Sequence, residues 1–245
     1  VKKPEPKLVF LLDYDGTLTD FNRNPDHSRL TPETRSLLLR LSRKYPVFLV
    51  SGRNVKSLRK VSGLKKLPMV GSHGFESSRL PGGLRFAGAG KQKRFRHEAA
   101  LLYKAFQRLK KEFPGLHVEP KPFSSTVHYR GLSLSARQEK TLKRQFRRLV
   151  RQTVTPNLWS LQEGKKMLEA KPKGFSKGQA VLKIMKLFPG ALPLYAGDDI
   201  TDISAFKALG SKGLKVSVGD RIAKNLVNLL FHNPREFVYW LKAFL

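Results

Sequence analysis

The chain alternates short, continuous apolar runs with longer stretches of helical period. Leu8-Val9-Phe10-Leu11-Leu12 is one such run, the pattern of a strand buried on both faces. Thr31 followed by Pro32 forms a helix start, and Leu37, Leu38 and Leu41 mark that helix's buried face. Val47 to Val50 reads as a second strand, ending at Ser51-Gly52-Arg53. Residues 54–62 read as a helix and Pro68 to Gly71 as a third strand, and 75–87 predict a hairpin around Pro81-Gly82-Gly83.

The rhythm then changes. Residues 93–113 predict a long amphipathic helix with Leu102, Phe106, Leu109 and Phe113 on one face. Two short strands follow, 116–121 and 125–130. Ser135 and Gln138 have capping-box spacing and open a second helix that runs to about Arg151. Strands at 158–162 and 166–170 complete a helix-strand-strand unit that occurs twice, the layout of a small α+β domain. After Lys171 the α/β rhythm resumes: a helix at 177–187, a strand from Ala191 to Ala196, a short helix at 202–208 and a strand at 213–218. Pro234 to Leu245 reads as a helix burying Phe237, Trp240, Leu241 and Phe244. The pattern therefore predicts a doubly wound, mostly parallel α/β core (1–90 and 171–245) interrupted by an inserted α+β domain (91–170).

Composition narrows the class. The 245 residues are 40% hydrophobic, enough for a packed core, and no apolar run approaches the roughly 20 residues of a membrane helix. Val1-Lys2-Lys3-Pro4 has neither an initiator Met nor an apolar leader, so the chain reads as a piece trimmed from a longer one. There is no cysteine, which excludes disulfides and thiolate chemistry and suits a cytoplasmic location. Lys and Arg number 48 against 18 Asp and Glu, a net charge of +30 that attracts phosphate esters and polyanions. In a chain so poor in acids, the position of each acid carries information.

Three strand ends collect polar groups. The first delivers Asp13 and Asp15, whose i,i+2 spacing on a strand would aim both at one reacting group, with Gly16 allowing a sharp turn. This arrangement suits a carboxylate nucleophile beside a carboxylate acid/base. The second strand ends at Ser51, a hydroxyl donor that also suits a helix N-cap. The third ends at Gly197-Asp198-Asp199, with Asp202 just beyond. Carboxylates crowded at one sheet edge call for a cation, and hard oxygen ligands without His or Cys point to Mg2+. Lys177 adds a positive charge at a helix start, and the whole set describes a phosphoryl site. No GxxxxGK[ST] stretch and no GxGxxG after a strand is present.

The ordered motifs Asp13-Tyr14-Asp15-Gly16-Thr17, Ser51-Gly52-Arg53, Lys177 and Gly197-Asp198-Asp199-Ile200-Thr201-Asp202 resemble the haloacid dehalogenase superfamily. Gly71-Ser72-His73-Gly74-Phe75-Glu76, Val118-Glu119-Pro120-Lys121, His128-Tyr129-Arg130, Glu169-Ala170-Lys171-Pro172 and Lys177-Gly178 narrow the resemblance to the trehalose-6-phosphate phosphatase family, in which the insert is a cap. The resemblance implies Mg2+-dependent hydrolysis of trehalose 6-phosphate through an aspartyl-phosphate, with cap closure excluding water. Asp13 is then the nucleophile and Asp15 the acid/base. Asp13, the main-chain carbonyl of Asp15 and Asp198 hold the metal, while Ser51, Gly52 and Lys177 hold the phosphoryl group. Asp199 and Asp202 support the metal and Lys177. Arg53, Glu119, Lys121, Arg130 and Glu169 contact the sugar, and His73, His128 and Glu76 match motifs but suit turn or core-polar roles equally. Ile203 departs from the family, which commonly has an acidic residue there.

Alternatives are a phosphatase of another sugar phosphate, such as sucrose 6-phosphate or a glucosyl or mannosyl phosphate, and a non-catalytic regulatory domain of a synthase–phosphatase. The partner implied is a small sugar phosphate, with a trehalose-phosphate synthase as macromolecular partner or fused domain. Like-charge pairs at i,i+4 (Lys143/Arg147, Arg144/Arg148, Arg147/Arg151) read first as a solvated face. No nucleic-acid module signature accompanies them, so sequence-specific nucleic-acid binding is not expected, and salt-sensitive non-specific binding is the most they imply.

Overall fold

The computed structural model describes residues 7–22, 25–164 and 166–245, so the Val1-Lys2-Lys3-Pro4 reading lies outside the described residues. The chain divides into two units, Val1–Phe86 with Phe175–Leu245, and Ala87–Gly174.

The first unit holds β1 (Leu8–Leu12), β2 (Val47–Val50), β3 (Met69–Gly71) and β4 (Glu76–Ser78) before the insert, with α1 (Pro32–Lys44) and α2 (Val55–Ser62) between them. The second unit supplies α3 (Ala89–Gln107), β5 (His117–Pro120), β6 (Ser125–His128), α4 (Ala136–Thr153), β7 (Trp159–Gly164) and β8 (Met167–Pro172). The chain then returns to the first unit through α5 (Lys177–Met185), β9 (Leu192–Gly197), α6 (Ile203–Leu209), β10 (Leu214–Val218), β11 (Leu229–Phe231) and α7 (Pro234–Leu241).

The large sheet has the order β11-β10-β9-β1-β2-β3-β4, and only the β3–β4 pair is antiparallel. It is the expected mostly parallel α/β core. Strand alternation sorts its side chains. Phe10, Leu12, Leu49, Leu194 and Ala196 pack on one face with Leu37, Leu41, Leu58 and Phe237 of α1, α2 and α7. Val9, Leu11, Phe48, Val50 and Tyr195 pack on the other with Val181, Ile184 and Phe206 of α5 and α6. The chain leaves β1 toward β2 on one side and returns from the insert to β9 on the other. β1 therefore sits at the topological switch point, where open α/β sheets hold ligands beyond their carboxyl ends.

Local caps agree with the pattern. The Thr31 hydroxyl accepts from Thr34 N at 3.2 Å, and Ser135 and Gln138 form the capping box of α4. Four details differ from the sequence reading. The reversal lies at Ser72–Gly74 between β3 and β4, where Ser72 and His73 adopt φ of 50° and 54°, and Pro81–Gly83 is a lone 3-10 turn. Glu76 stabilises that reversal by accepting from Ser72 Oγ at 2.7 Å and Val55 N at 3.0 Å. β11 was not foreseen, because a three-residue edge strand leaves no period to read. The first helix of the insert begins at Ala89 and passes into a 3-10 turn at Arg108–Lys111. At the C-terminus, Phe237 and Leu241 are buried, while Trp240 and Phe244 only lean against the core.

The second unit is an antiparallel sheet, β5-β6-β8-β7, packed against α3 and α4. Phe106 and Phe146 stack between the two helices with ring centroids 4.6 Å apart. Val118, Val127 and Leu168 form a buried row across β5, β6 and β8. Glu119, Thr126, Glu169 and Gln162 form the neighbouring row, which pleat alternation aims at the opposite face. Among the described residues, no helix is long and apolar enough to cross a membrane.

Glu139 ties α4 to the sheet. It accepts from Tyr129 Oη at 3.0 Å and pairs with Lys166 at 2.7 Å and Lys143 at 3.1 Å. Hydrogen bonds from Lys166, Lys143 and Tyr129 hold its carboxyl at a pKa of about 2. A depressed carboxyl contributes stability above its unfolded pKa and loses it as pH falls through the folded value. The insert is therefore expected to lose this contribution between about pH 4.5 and 2. Acid titration of stability should show that loss, and Glu139→Gln should remove it from the profile.

Candidate active site

Asp13 directly follows β1, and its amide donates to Ala196 O of β9 at 2.9 Å, which prolongs the parallel pairing by one residue. By alternation Asp13 shares a face with Val9 and Leu11, the face covered by α5. Lys177, the first residue of α5, reaches it there. Its Nζ lies 2.9 Å from Asp13 Oδ1 and 2.8 Å from Asp202 Oδ1, and all three side chains are buried. Ser176 caps α5 by accepting from Gln179 N at 3.1 Å, so the lysine is fixed at the first turn.

Asp202 is the hub. Besides Lys177 it accepts from the Tyr195 hydroxyl at 2.5 Å and from the amides of Asp198 and Asp199 at 3.2 and 3.0 Å. Both of its oxygens are therefore occupied, and it holds the loop that carries Asp198. Asp199 caps the turn that follows by accepting from Ile200 N at 2.7 Å. Ile203 begins α6 with no loss of these contacts. Tyr195 is the residue the sequence reading missed, because a tyrosine within Leu192-Pro193-Leu194-Tyr195-Ala196 has the look of core. The available signal was a hydroxyl inside an apolar strand, which needs a buried partner.

Asp13, Asp198 and Asp202 each bring one carboxylate oxygen within 4.8 Å of the others. Burial pushes the Asp13 carboxyl well up, and the neighbouring Asp202 and Asp198 add to this against the pull of Lys177. Burial and Asp202 likewise push Asp198 up to about 7. Burial works against the Lys177 ammonium, but Asp13 and Asp202 outweigh it and hold the lysine charged. This crowding of hard oxygens, with one lysine for three acids, could hold a metal ion. Gly16, at φ +77°, keeps the space open, since a Cβ there would lie 2.2 Å from Asp198 Oδ2. Arg221 approaches Asp198 at 3.6 Å and stacks over Phe21.

Asp15 has a different partner. Regular strand pairing ends near Asp13, and the Asp15 carboxylate forms a two-point pair with Arg53, with both N···O distances 2.6 Å. The two carboxylates thus have separate partners, Lys177 for Asp13 and Arg53 for Asp15. Ser51 is buried at the end of β2, and its Oγ accepts from Arg53 N at 3.2 Å. The cap of α2 is Asn54, not Ser51. Gly52 faces the His73 ring, which a Cβ would meet at 2.6 Å.

In the second unit, Lys121 Nζ lies 3.1 Å from Glu169 Oε1 and 3.8 Å from Glu119 Oε2. Glu169 also accepts from Ser124 Oγ at 2.8 Å, and Glu119 contacts His128 Nε2 at 2.9 Å. Burial opposes ionisation of both Glu119 and Lys121. Hydrogen bonding from His128 nevertheless lowers the Glu119 pKa, and Glu169 raises that of Lys121. Thr126, between the two glutamates, is buried with its hydroxyl unpartnered among the described residues. Arg130 stands exposed beyond β6, outside these contacts. Glu163 pairs with Lys143 and Arg147.

A mostly parallel sheet with acids beyond its central strands, and an inserted antiparallel unit, is the architecture of the capped haloacid dehalogenase-like proteins. The trehalose-phosphatase family model matches residues 11–226, and the chain belongs to that family. It is 30% identical over 244 residues to a trehalose-phosphate phosphatase of Mycobacterium tuberculosis, a match covering 92% of this chain and 58% of that protein. The chain thus spans little more than half the length of this curated relative. A crystal structure of a trehalose-6-phosphate phosphatase related protein superposes with a TM-score of 0.77 at 25% identity, covering 96% of each chain. The C-terminal domain of a Candida albicans trehalose synthase regulatory protein shares the fold, with a TM-score of 0.71 at 11% identity over 97% of this chain and 94% of that one.

Removing Lys177 should leave Asp13 and Asp202 buried without their counter-charge. In metal-free buffer, Lys177→Met is expected to lose about 3–5 kcal/mol in urea unfolding. Tyr195→Phe, which removes one hydrogen bond to a charged group, should lose about 1.5–3 kcal/mol.

Proposed function

We propose that the chain is a Mg2+-dependent phosphatase that hydrolyses trehalose 6-phosphate to trehalose and phosphate. The observation that carries this reading is the buried Lys177 bridging Asp13 and Asp202 at the carboxyl end of β1, in a chain of the trehalose-phosphatase family. In the proposed reaction an Asp13 oxygen bonds to phosphorus as the bond to the sugar oxygen breaks. Asp15 gives that oxygen its proton. Water then attacks the aspartyl-phosphate, Asp15 takes the proton of the water, and Asp13 is released with inorganic phosphate. Lys177, with the Ser51 hydroxyl and the Gly52 backbone, holds the phosphoryl oxygens. Lys177 also keeps Asp13 oriented.

The donor set fits Mg2+, being oxygen only and crowded with negative charge. The Asp13 and Asp198 side chains and the Asp15 carbonyl would hold it, and Asp202, already saturated, supports Lys177 and the Asp198–Asp199 loop. When bound, Mg2+ would neutralise charge on the phosphoryl group and let an anionic nucleophile approach it.

Glu119, Lys121 and Glu169 present carboxylates and an ammonium from one small sheet, groups suited to sugar hydroxyls. We assign them to sugar recognition, together with Arg130. Arg53 joins this assignment, and a sugar that drew its guanidinium away from Asp15 would couple substrate binding to freeing the acid/base. A second reading is a regulatory domain acting with a trehalose-phosphate synthase, favoured by the fold shared with the Candida albicans regulatory protein. The complete Asp13, Asp15, Lys177 and Asp198 set favours catalysis.

Phosphate release from trehalose 6-phosphate, sucrose 6-phosphate and glucose 6-phosphate, with Mg2+ and with chelator, tests the proposal. The expected result is Mg2+-dependent release that prefers trehalose 6-phosphate and drops by at least about 10^3-fold in Asp13→Asn. A folded protein that releases phosphate from none of the three would move the assignment to the regulatory reading.

A further inference from the structure

The basic residues of α4 are sorted into two sets. Lys143 and Arg147, with Lys166 of the adjacent strand hairpin, are matched by Glu139 and Glu163. Arg137, Lys140, Arg144, Arg148 and Arg151 have no acidic partner among the described residues. Their spacing of three and four residues places all five along one exposed line of the helix. Lys140/Arg144 and Arg144/Arg148 are like-charge pairs at i,i+4, each costing the helix roughly 0.2–0.5 kcal/mol. The helix tolerates this cost although only Leu142, Phe146 and Val150 of its side chains are buried. At their C-terminal end, Arg144, Arg147, Arg148, Arg151 and Gln152 line an open cavity of about 380 Å³.

We propose that this line of α4 is a docking strip for the phosphate backbone of nucleic acid, independent of base sequence. The chemistry of the strip selects the occupant. Arginine forks match phosphate oxygens in pairs, and four of the five strip residues are arginines. The strip rises about 21 Å from Arg137 to Arg151, the length of roughly six phosphate steps along one duplex strand. None of the exposed large hydrophobic side chains lies on α4, so there is no wedge for a lipid surface and no platform for stacked bases. What remains is a regular row of fixed positive charge on a chain of net +30, which fits a regular row of negative charge.

The test is the salt dependence of binding to a short DNA duplex and to a scrambled version of it, measured by fluorescence anisotropy. Both should bind equally, and log K should fall linearly with log salt. The combined variant Arg144→Gln, Arg148→Gln, Arg151→Gln should reduce that slope by about 2–3 while leaving the circular dichroism spectrum unchanged. Lys65→Gln, Lys66→Gln, Lys212→Gln removes as much charge from exposed sites of the other unit and should leave the slope as it was. Should the first variant fold poorly, Arg137→Gln with Lys140→Gln at the opposite end should still reduce the slope by about 1–2. Equal weakening by the Lys65/Lys66/Lys212 control would reduce the effect to overall charge and overturn the strip, as would absence of binding at low salt. Tighter binding to phosphatidylserine vesicles, lost in the same α4 variants, would overturn the choice of nucleic acid.

Discussion

One buried ammonium organises the proposed catalytic end of the larger unit. Lys177 has two carboxylates within 3 Å and almost no contact with water. A lone ammonium there would cost several kcal/mol, and Asp13 and Asp202 without it would cost as much. None of the three is therefore free to be placed alone. The requirement fixes the start of α5 against the end of β1. Through the further bonds of Asp202 to Tyr195 and two amides, it also fixes the loop after β9. Electrostatic balance thus joins strand pairing and apolar packing in setting the position of the proposed nucleophile.

The smaller unit solves a related problem with looser means. Its row of Glu119, Thr126 and Glu169 puts two acids on β5 and β8, with only Thr126 of β6 between them. Lys121 and His128 offset them, but His128 and Glu119 stay partly open to solvent. Glu119 and His128 can therefore exchange partners more readily than the Lys177 cluster, which cannot rearrange without losing its balance. The rigid set suits the proposed reaction at phosphorus, and the more open Glu119–His128 edge suits the proposed polyhydroxyl ligand.

How legible each part was in the sequence depended on the range of the interaction. Leu8–Leu12, Val47–Val50 and the strand before Gly197 were readable because burial on both faces leaves uninterrupted apolar runs. Their ends marked Asp13, Ser51 and Asp198 for the same reason. Ser135 and Gln138 were readable because a capping box is local. The Asp15–Arg53 pair and the neutralisation of Lys143 and Arg147 by Glu163 join residues distant in the chain, while the Tyr195 hydroxyl meets Asp202 across the end of β9, and no periodicity encodes any of them. The Ser72–Gly74 reversal was missed because two of its three left-handed residues are not glycine, while Pro81-Gly82-Gly83 offered the stronger turn signal.

The order of the strands also bears on how the molecule is made. β1 pairs with β9, which is synthesised roughly ten seconds or more later at ordinary translation rates. Until then one edge of β1 has no neighbour, and Val9 and Leu11 lack the helices α5 and α6 that will cover them. The insert, continuous in sequence, can close its own core in the interval. A ribosome therefore carries a finished small domain together with an unfinished sheet in which the wholly apolar strand β1 is an open edge. That intermediate, rather than the mature fold, is where this chain most needs protection from aggregation.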